Sequence, residues 1–178
     1  KRVSESNTNY AQGGIASVLD GTDSFTEHVT DTLTAGAGIC REDVVRLVVE
    51  RGPEMIADLV RHGIEFSHDD EGGYRLGREG GHSHRRIVHA GDFTGREIEA
   101  GLVARVRAHR RIRLAEDHIA VDLLQGETGR VVGARVLGRR TGELFDVGSR
   151  VTVLASGGCG KVYRYTSNPD IATGDGLA

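Results

Sequence analysis

Glycine constrains this chain more than any other residue, because 26 of its 178 residues are glycine and a pair stands near each end. One pair follows Tyr10-Ala11-Gln12, and the other follows Ala155-Ser156 at the end of a short apolar run. Backbone that carries no side chains can approach a phosphate or a flat ring system closely. Each pair is therefore either an ordinary turn or part of a ligand site at the end of a strand.

The better-known nucleotide-binding motifs are both incomplete here. Ala155 stands where a P-loop needs its first glycine, and Val162 follows the lysine. Gly36-Ala37-Gly38 has Arg41 at the last glycine position of GxGxxG, and a predicted helix precedes it instead of a strand. Taken singly, these clusters do not separate a binding loop from a turn.

Hydrophobic periodicity predicts an α/β chain. Helices are expected at residues 24–35, where Ser24 and Glu27 have capping-box spacing, and at 94–109. Two consecutive helices are expected within 42–62, because Gly52-Pro53 interrupts the period. Alternating apolar residues predict strands at 64–66, 112–114, 119–123, 131–137 and 144–147. The last three would form an antiparallel meander as a side sheet, followed by a buried parallel-type strand at 151–155.

Composition and charge exclude several classes of protein. No apolar run approaches the roughly 18 residues of a membrane helix, and a net charge of -3 without a basic stripe argues against nucleic acid. Cys40 and Cys159 lie far apart without a CxxC pattern, which is typical of free thiols in a reducing compartment. We therefore expect a soluble cytoplasmic protein with no membrane partner.

Residues 78–86 are the most unusual segment, because basic and histidine side chains crowd around a glycine pair and one carboxylate, Glu79. A solvated charged loop is one interpretation. A metal site is a second, since His82 and His84 would share one face of a strand with His89 nearby. The favoured interpretation is an anion site for carboxylates, in which Glu79 could accept a hydrogen bond from an ammonium group.

Four segments occur in the order found in one flavoprotein family: residues 7–16 (NTNYAQGGIA), 78–86 (REGGHSHRR), 94–97 (TGRE) and 155–158 (ASGG). Over essentially its whole length the chain resembles the aspartate oxidase branch of the succinate dehydrogenase and fumarate reductase flavoproteins. The resemblance implies an FAD enzyme that oxidises L-aspartate to iminoaspartate for NAD biosynthesis, with oxygen or fumarate as electron acceptor. The implied fold is an incomplete FAD-binding, Rossmann-like domain with an inserted antiparallel side sheet.

The same resemblance implies roles for individual residues. Glu79 would lie opposite the substrate amino group. The residues along the flavin would be Thr8, Ala11, Gln12, Gly13 and Gly14, and the backbone of Ala120 would meet the adenine. The residues that border the nucleotide and flavin would be Ala155, Ser156, Gly157 and Gly158, and Asp175 would bond to cofactor hydroxyls. Asn7 occupies the place of a flavin-linked histidine in membrane-complex members of the family, and an amide cannot form that bond. Noncovalent FAD is therefore expected, and no metal.

The resemblance also suggests that residues 1–178 are an internal piece of an FAD-binding domain. A strand with GxGxxG is expected before Lys1, and a capping domain with the arginine acid/base is expected after Ala178, so no catalytic residue is assigned within the chain. Two alternatives stay open at this point. One is a fumarate reductase or succinate dehydrogenase type of flavoprotein, and the other is a noncatalytic metal- or anion-binding module built on His82, His84 and His89.

Overall fold

The computed structural model describes residues 2–91 and 93–177. The chain divides into two compact units. We call Thr8–Ala108 the helical unit, and Lys1–Asn7 together with His109–Ala178 the meander unit. Each is described by itself.

Three helices and three two-residue strands form the helical unit. The helices are α1 (Phe25–Ala35), α2 (Glu42–Arg61) and α3 (Thr94–Ala108). The strands are β1 (Ile15–Ala16), β2 (Leu76–Gly77) and β3 (Ile87–Val88). β3 lies in the centre of the sheet and pairs antiparallel with both neighbours, and a short 3-10 helix at Thr8–Tyr10 precedes β1.

The core of the helical unit joins α2 to the sheet. It contains the buried side chains of Ile56, Ile64, Phe66, Val88 and Ala90. Each of the larger side chains stabilises the fold by about 1.5–3 kcal/mol when it leaves water. Ile64 and Phe66 are buried as their alternation predicts, but the expected strand there is wrong. Residues 64–66 pair with no strand of the described residues, and the next residue, Ser67, donates its N–H to the carbonyl of His89 (2.8 Å).

The predicted helices α1 and α3 are confirmed to within a residue at each end. Ser24 caps α1, since its Oγ accepts from the N–H of Glu27 (3.1 Å). The predicted break in α2 is wrong, because one continuous helix runs through Pro53. Proline removes only one N–H from the ladder, while buried Val49 and Ile56 on either side of it pack both halves onto the same unit.

Three longer strands form the sheet of the meander unit. They are β4 (His118–Gln125), β5 (Val131–Gly138) and β6 (Leu144–Gly148), in the order β4-β5-β6 with antiparallel pairing. The predicted antiparallel meander is therefore confirmed. The strand expected at 112–114 is wrong, because those residues take no part in a sheet. A 3-10 helix at Gly160–Val162 follows the meander.

The strand predicted at residues 151–155 is wrong. These residues belong to no strand, and Val151, Val153 and Leu154 are exposed. A strand exists only through its ladder of hydrogen bonds, and within residues 2–91 and 93–177 no neighbouring strand pairs with this segment. Both sheets of the described chain are antiparallel, so helices and sheets give the predicted α/β class without a parallel sheet.

Two expectations from composition can be compared with the structure. Among the residues described, no helix has both the length and the apolar character that crossing a membrane requires. Cys40 and Cys159 are both free thiols, as the absence of a CxxC pattern predicts.

Candidate cofactor and substrate site

Residues 11–14, which we call the AQGG loop, are held by the first turn of α3. The N–H of Gly95 donates to the carbonyl of Ala11 (3.1 Å), and the N–H of Ala11 donates to the carbonyl of Thr8 (3.0 Å). Gly95 is buried, and a Cβ there would collide with the Thr8 carbonyl. Thr8, Ala11, Gln12 and Gly13 nevertheless remain exposed. The loop is thus hydrogen-bonded to α3 while its residues stay accessible to solvent.

The two glycines of this loop have different physical reasons to be glycine. A Cβ at Gly14 would meet the carbonyl of Val88 and lie 3.0 Å from Nδ1 of His89, so its close packing on β3 requires glycine. A Cβ at Gly13 would lie 3.7 Å from Oε1 and 3.8 Å from Oε2 of Glu79, which is ordinary contact. Packing therefore explains Gly14, whereas Gly13 is where the loop meets the Glu79 carboxylate.

Glu79 begins a tight turn. The N–H of His82 donates to the Glu79 carbonyl (3.3 Å), and Gly81 takes the third position with φ +85°, which favours glycine. The guanidinium Nε of Arg78 closes the turn from outside by donating to the carbonyl of His82 (2.8 Å). Glu79 itself is exposed. Its carboxylate is therefore carried on a braced turn beside the AQGG loop.

A buried ion cluster lies behind this turn. Both Arg86 and Asp23 have almost fully buried side chains, and the guanidinium donates to the two Asp23 oxygens at 2.7 and 2.8 Å. Its third nitrogen, Nη1, donates to Oδ2 of Asp31 (2.8 Å). Bidentate geometry with charge on both partners makes such hydrogen bonds strong. Burial disfavours the Asp31 carboxylate, but hydrogen bonds from Ser83 and Arg86 outweigh burial and lower its pKa.

Two histidines pack against each other next to the ion cluster. The rings of His28 and His82 meet edge to face with centroids 5.9 Å apart. Among the described residues, the buried Nδ1 atom of neither ring has a hydrogen-bond partner. Burial lowers the pKa of His28, and the charge of Arg86 and the His82 ring act in the same direction, whereas Asp23 and Asp31 oppose them. The environment of His28 therefore favours its neutral form.

The structure bears differently on the two ligand hypotheses for residues 78–86. These residues do not form a strand, so His82 and His84 share no strand face, and among the described residues they form no metal-ligand group with His89. Asp23, Glu27 and His84 do lie within 4.8 Å of one another at their ligand atoms. Both carboxylate oxygens of Asp23 already accept hydrogen bonds from Arg86, however, so Asp23 is not available to a metal ion. Arg86 is equally unavailable to a substrate carboxylate, so the predicted anion site loses that cation.

In the meander unit, residues 155–158 are exposed along their whole length. Gly157 has φ +86°, a conformation that favours glycine. A Cβ at Gly158 would meet nothing within 4 Å, and no strained φ requires glycine there. Neither conformation nor packing of the described residues explains this glycine, which fits a place where a ligand approaches the backbone.

The segment around Asp175 packs against residues 156–159 inside the same unit. A Cβ at Gly176 would collide with Oγ of Ser156, and one at Gly174 would lie 2.8 Å from Cβ of Cys159. Asp175 between them is exposed, and so is Ala120 on β4, at the start of a register shift. The structure thus brings Glu79 to Gly13 in one unit, and Ser156 to the Asp175 segment in the other.

Sequence reasoning missed the residues that support the turn. Asp23 and Asp31 hold Arg86, yet neither was among the predicted site residues. One signal was available, because Asp23, Glu27 and Asp31 recur every four residues and so line one face of α1 and its cap. The negative charge of that acidic stripe is complementary to the basic segment at residues 78–86.

Comparison with known proteins agrees with the motifs. The family model described as FAD binding domain matches residues 1–178. L-aspartate oxidase 1 of Ralstonia nicotianae is 50% identical over 185 residues, covering 100% of this chain and 35% of that protein. The chloroplastic L-aspartate oxidase of Arabidopsis thaliana is 49% identical, covering 98% and 27%. The chain thus spans about a third of the length of such curated relatives.

Solved structures show the same similarity. Quinol fumarate reductase of E. coli superposes with a TM-score of 0.91 at 33% identity, over 97% of this chain and 29% of that one. Adenylylsulfate reductase of Archaeoglobus fulgidus, at 20% identity and a TM-score of 0.71, shares the fold. In each unit taken by itself, the exposed glycine backbone, at Gly13 in one and at Gly158 in the other, leaves room for a bound ligand. Matched by the family model along its whole length, the chain belongs to the FAD binding domain family.

Proposed function

We propose that this chain is the part of an L-aspartate oxidase that holds the flavin and recognises the substrate amino group, in a pathway that leads to NAD. The observation that carries the proposal is the Glu79 carboxylate beside Gly13 of the AQGG loop. A carboxylate at that point suits an ammonium group held next to a flavin. The L-aspartate oxidase relatives at about half identity support the same substrate.

In this proposal each exposed loop has one task. The AQGG loop with Thr8 would lie along the flavin, and Ala120 would meet the adenine. Residues 155–158 would border the nucleotide, and Asp175 would accept hydrogen bonds from cofactor hydroxyls. The wider architecture would be an FAD-binding, Rossmann-like domain, of which residues 1–178 form a part.

The reaction needs two electrons and two protons to leave L-aspartate. FAD, when bound, would supply the acceptor for the hydride that leaves Cα, and oxygen or fumarate would take the electron pair onward as hydrogen peroxide or succinate. Glu79 would accept a hydrogen bond from the substrate ammonium and so orient Cα. Loss of the Cα hydride together with one ammonium proton, which passes to solvent, leaves the protonated imine. The cytoplasmic location stays a prediction.

The attachment of the cofactor is testable on its own. Asn7 offers no nucleophile for a flavin bond, so FAD should be released when the full-length protein is precipitated with acid. Yellow colour in the supernatant is the expected result. Flavin that remains with the washed pellet would contradict noncovalent binding.

The substrate assignment is tested by Glu79→Gln in the full-length protein. The variant should bind L-aspartate about 10- to 100-fold more weakly, because a charge-assisted hydrogen bond to the ammonium is lost. Its affinity for succinate, which has no amino group, should stay within about 2-fold. An intact protein that is reduced by succinate and not by L-aspartate would instead favour the succinate dehydrogenase or fumarate reductase alternative.

A further inference from the structure

The segment that carries Glu79 is docked on one face of α1 and its cap. Four side chains, from the last residue of the turn onward, contact that face. His82 contacts His28, Ser83 contacts Asp31, His84 contacts Glu27, and Arg86 contacts both Asp23 and Asp31. A surface loop of glycines and charged residues is ordinarily mobile. This one is attached to α1 and the residue before its cap at four of the five residues from 82 to 86.

Asp31 is the centre of that attachment. Its Oδ2 accepts from the N–H of Ser83 (2.8 Å), from Oγ of Ser83 (2.7 Å) and from Nη1 of Arg86 (2.8 Å). Asp23 fixes the same guanidinium from the other side. A single carboxylate oxygen thus ties both the backbone and the side chain of Ser83 to an immobile cation.

Ser83 follows directly on the turn that begins with Glu79. Within residues 2–91 and 93–177 the Glu79 carboxylate has no hydrogen-bond or ion-pair partner, so the path of the turn determines where this side chain begins. The bond from the His82 N–H to the Glu79 carbonyl closes the turn. A shift at Ser83 would therefore move the C-terminal end of the turn and, through that bond, the backbone of Glu79.

We propose that Asp31 is a positioning residue that holds Glu79 beside Gly13 and thereby makes the site discriminate between dicarboxylates with and without an ammonium group. The inference rests on the proposed function, since it assigns specificity to the same carboxylate. Asp31 acts through Ser83 and the turn, and it does not touch the substrate. A displacement of about 1 Å at a group that orients the substrate can lower the reaction rate about 100-fold.

The experiment uses the full-length flavoprotein with four variants: Asp31→Asn, Glu79→Gln, the double variant, and Asp43→Asn. The last is the matched control, because it removes the same charge from α2, where Asp43 forms an exposed ion pair with the N-cap residue Arg41. Binding of L-aspartate and of succinate is measured by the change in flavin absorbance. FAD content and melting temperature are recorded for every variant, together with kcat and KM.

Asp31→Asn should weaken L-aspartate binding about 10-fold and raise its KM similarly, while succinate binding stays within about 2-fold and kcat changes little. The double variant should bind L-aspartate within about 2-fold of Glu79→Gln, because residues acting through one group are not additive. Asp43→Asn should leave both affinities unchanged. Ser83→Ala removes only the hydroxyl bond and should give a smaller selective loss, about 3-fold, should Asp31→Asn yield no holoenzyme.

The outcomes separate this inference from the proposed function. If Glu79→Gln weakens L-aspartate selectively but neither Asp31→Asn nor Ser83→Ala does, the positioning role is wrong and the substrate assignment stands. Equal losses for L-aspartate and succinate, with lower FAD content, would show that Asp31 is merely structural. Unchanged binding of both ligands in Glu79→Gln would overturn the proposed function and the positioning role together.

Discussion

The helical unit and the meander unit carry similar glycine-rich loops on very different supports. In the helical unit the AQGG loop and the Glu79 turn rest on buried apolar side chains and on Arg86, whose side chain is 0% exposed. In the meander unit, residues 155–158 follow exposed apolar side chains, among them Val153 at 80% exposure. Glycine thus serves close packing at Gly14 of one loop and leaves the backbone accessible at Gly158 of the other.

The ion pairs of the two units differ in the same way. Arg86 binds Asp23 with two hydrogen bonds in a buried cluster, and Arg135 binds Asp146 with two hydrogen bonds across β5 and β6. The second pair is about half exposed, with side chains at 45% and 47%. The two ion pairs thus have nearly the same hydrogen-bond geometry but differ in their exposure to solvent. Comparing their contributions to the free energy of unfolding therefore measures the effect of burial.

The largest expected effect comes from breaking the buried pair. Arg86→Met in the full-length protein should destabilise the fold by about 3–5 kcal/mol, because it leaves the Asp23 carboxylate buried without its partner. Arg135→Met is the control and should cause no measurable change, as is usual for exposed pairs. The urea dependence of unfolding measures both. Equal destabilisation by the two substitutions would contradict the contrast between the units.

The next largest effect is expected from alanine substitutions in the two glycine pairs. Gly14→Ala should cost about 1–3 kcal/mol of unfolding free energy, since its Cβ has no room against β3. Gly158→Ala should leave the stability of the FAD-free protein unchanged, because nothing lies within 4 Å of its Cβ. Under the proposed function it should nevertheless weaken FAD binding, measured by fluorescence titration.

The result for either glycine variant can contradict the contrast between the two loops. A stable Gly14→Ala protein would mean that the AQGG loop adapts to the added methyl group. Loss of stability in FAD-free Gly158→Ala would mean that packing, and no ligand, requires that glycine.

The smallest effect is a dependence on pH. His28 has a pKa lowered by burial from its ordinary value of 6.5. The unfolded chain therefore binds the proton first as the pH falls through 6.5, and folding stability declines below that pH until the folded histidine is also protonated. One such proton changes stability by at most about 1.4 kcal/mol per pH unit. His28→Gln should flatten the profile of urea midpoints between pH 7 and 5.

A matched control for the pH experiment lies in the meander unit. The hydrogen bond from Arg135 lowers the pKa of Asp146 below 3.8, so its contribution is present above that value and lost only as the pH falls further. Asp146→Asn should therefore leave the profile between pH 7 and 5 unchanged. A profile equally steep in His28→Gln and the unaltered protein would exclude His28 as its source.

Sequence reasoning succeeded where the decisive interactions are local. The Ser24 cap lies three residues from its partner, and the strands of the meander follow one another through short turns. It failed at Pro53, where packing on both sides overrides a helix breaker. It also failed at residues 151–155, because the described part of the chain provides no strand that pairs with this apolar segment. Periodicity reports which residues prefer burial, and it does not report which partner is present.

The sequence by itself determined the helices α1 and α3, the antiparallel meander, and the family, because caps, periods and short motifs depend on neighbours along the chain. Tertiary structure alone decided that Arg86 serves the fold instead of a ligand, since its carboxylate partners lie 63 and 55 residues away. It also decided that Glu79 meets Gly13. A periodic charge pattern shows which side chains share a face, but whether they serve the fold or a ligand depends on whether folding removes them from water.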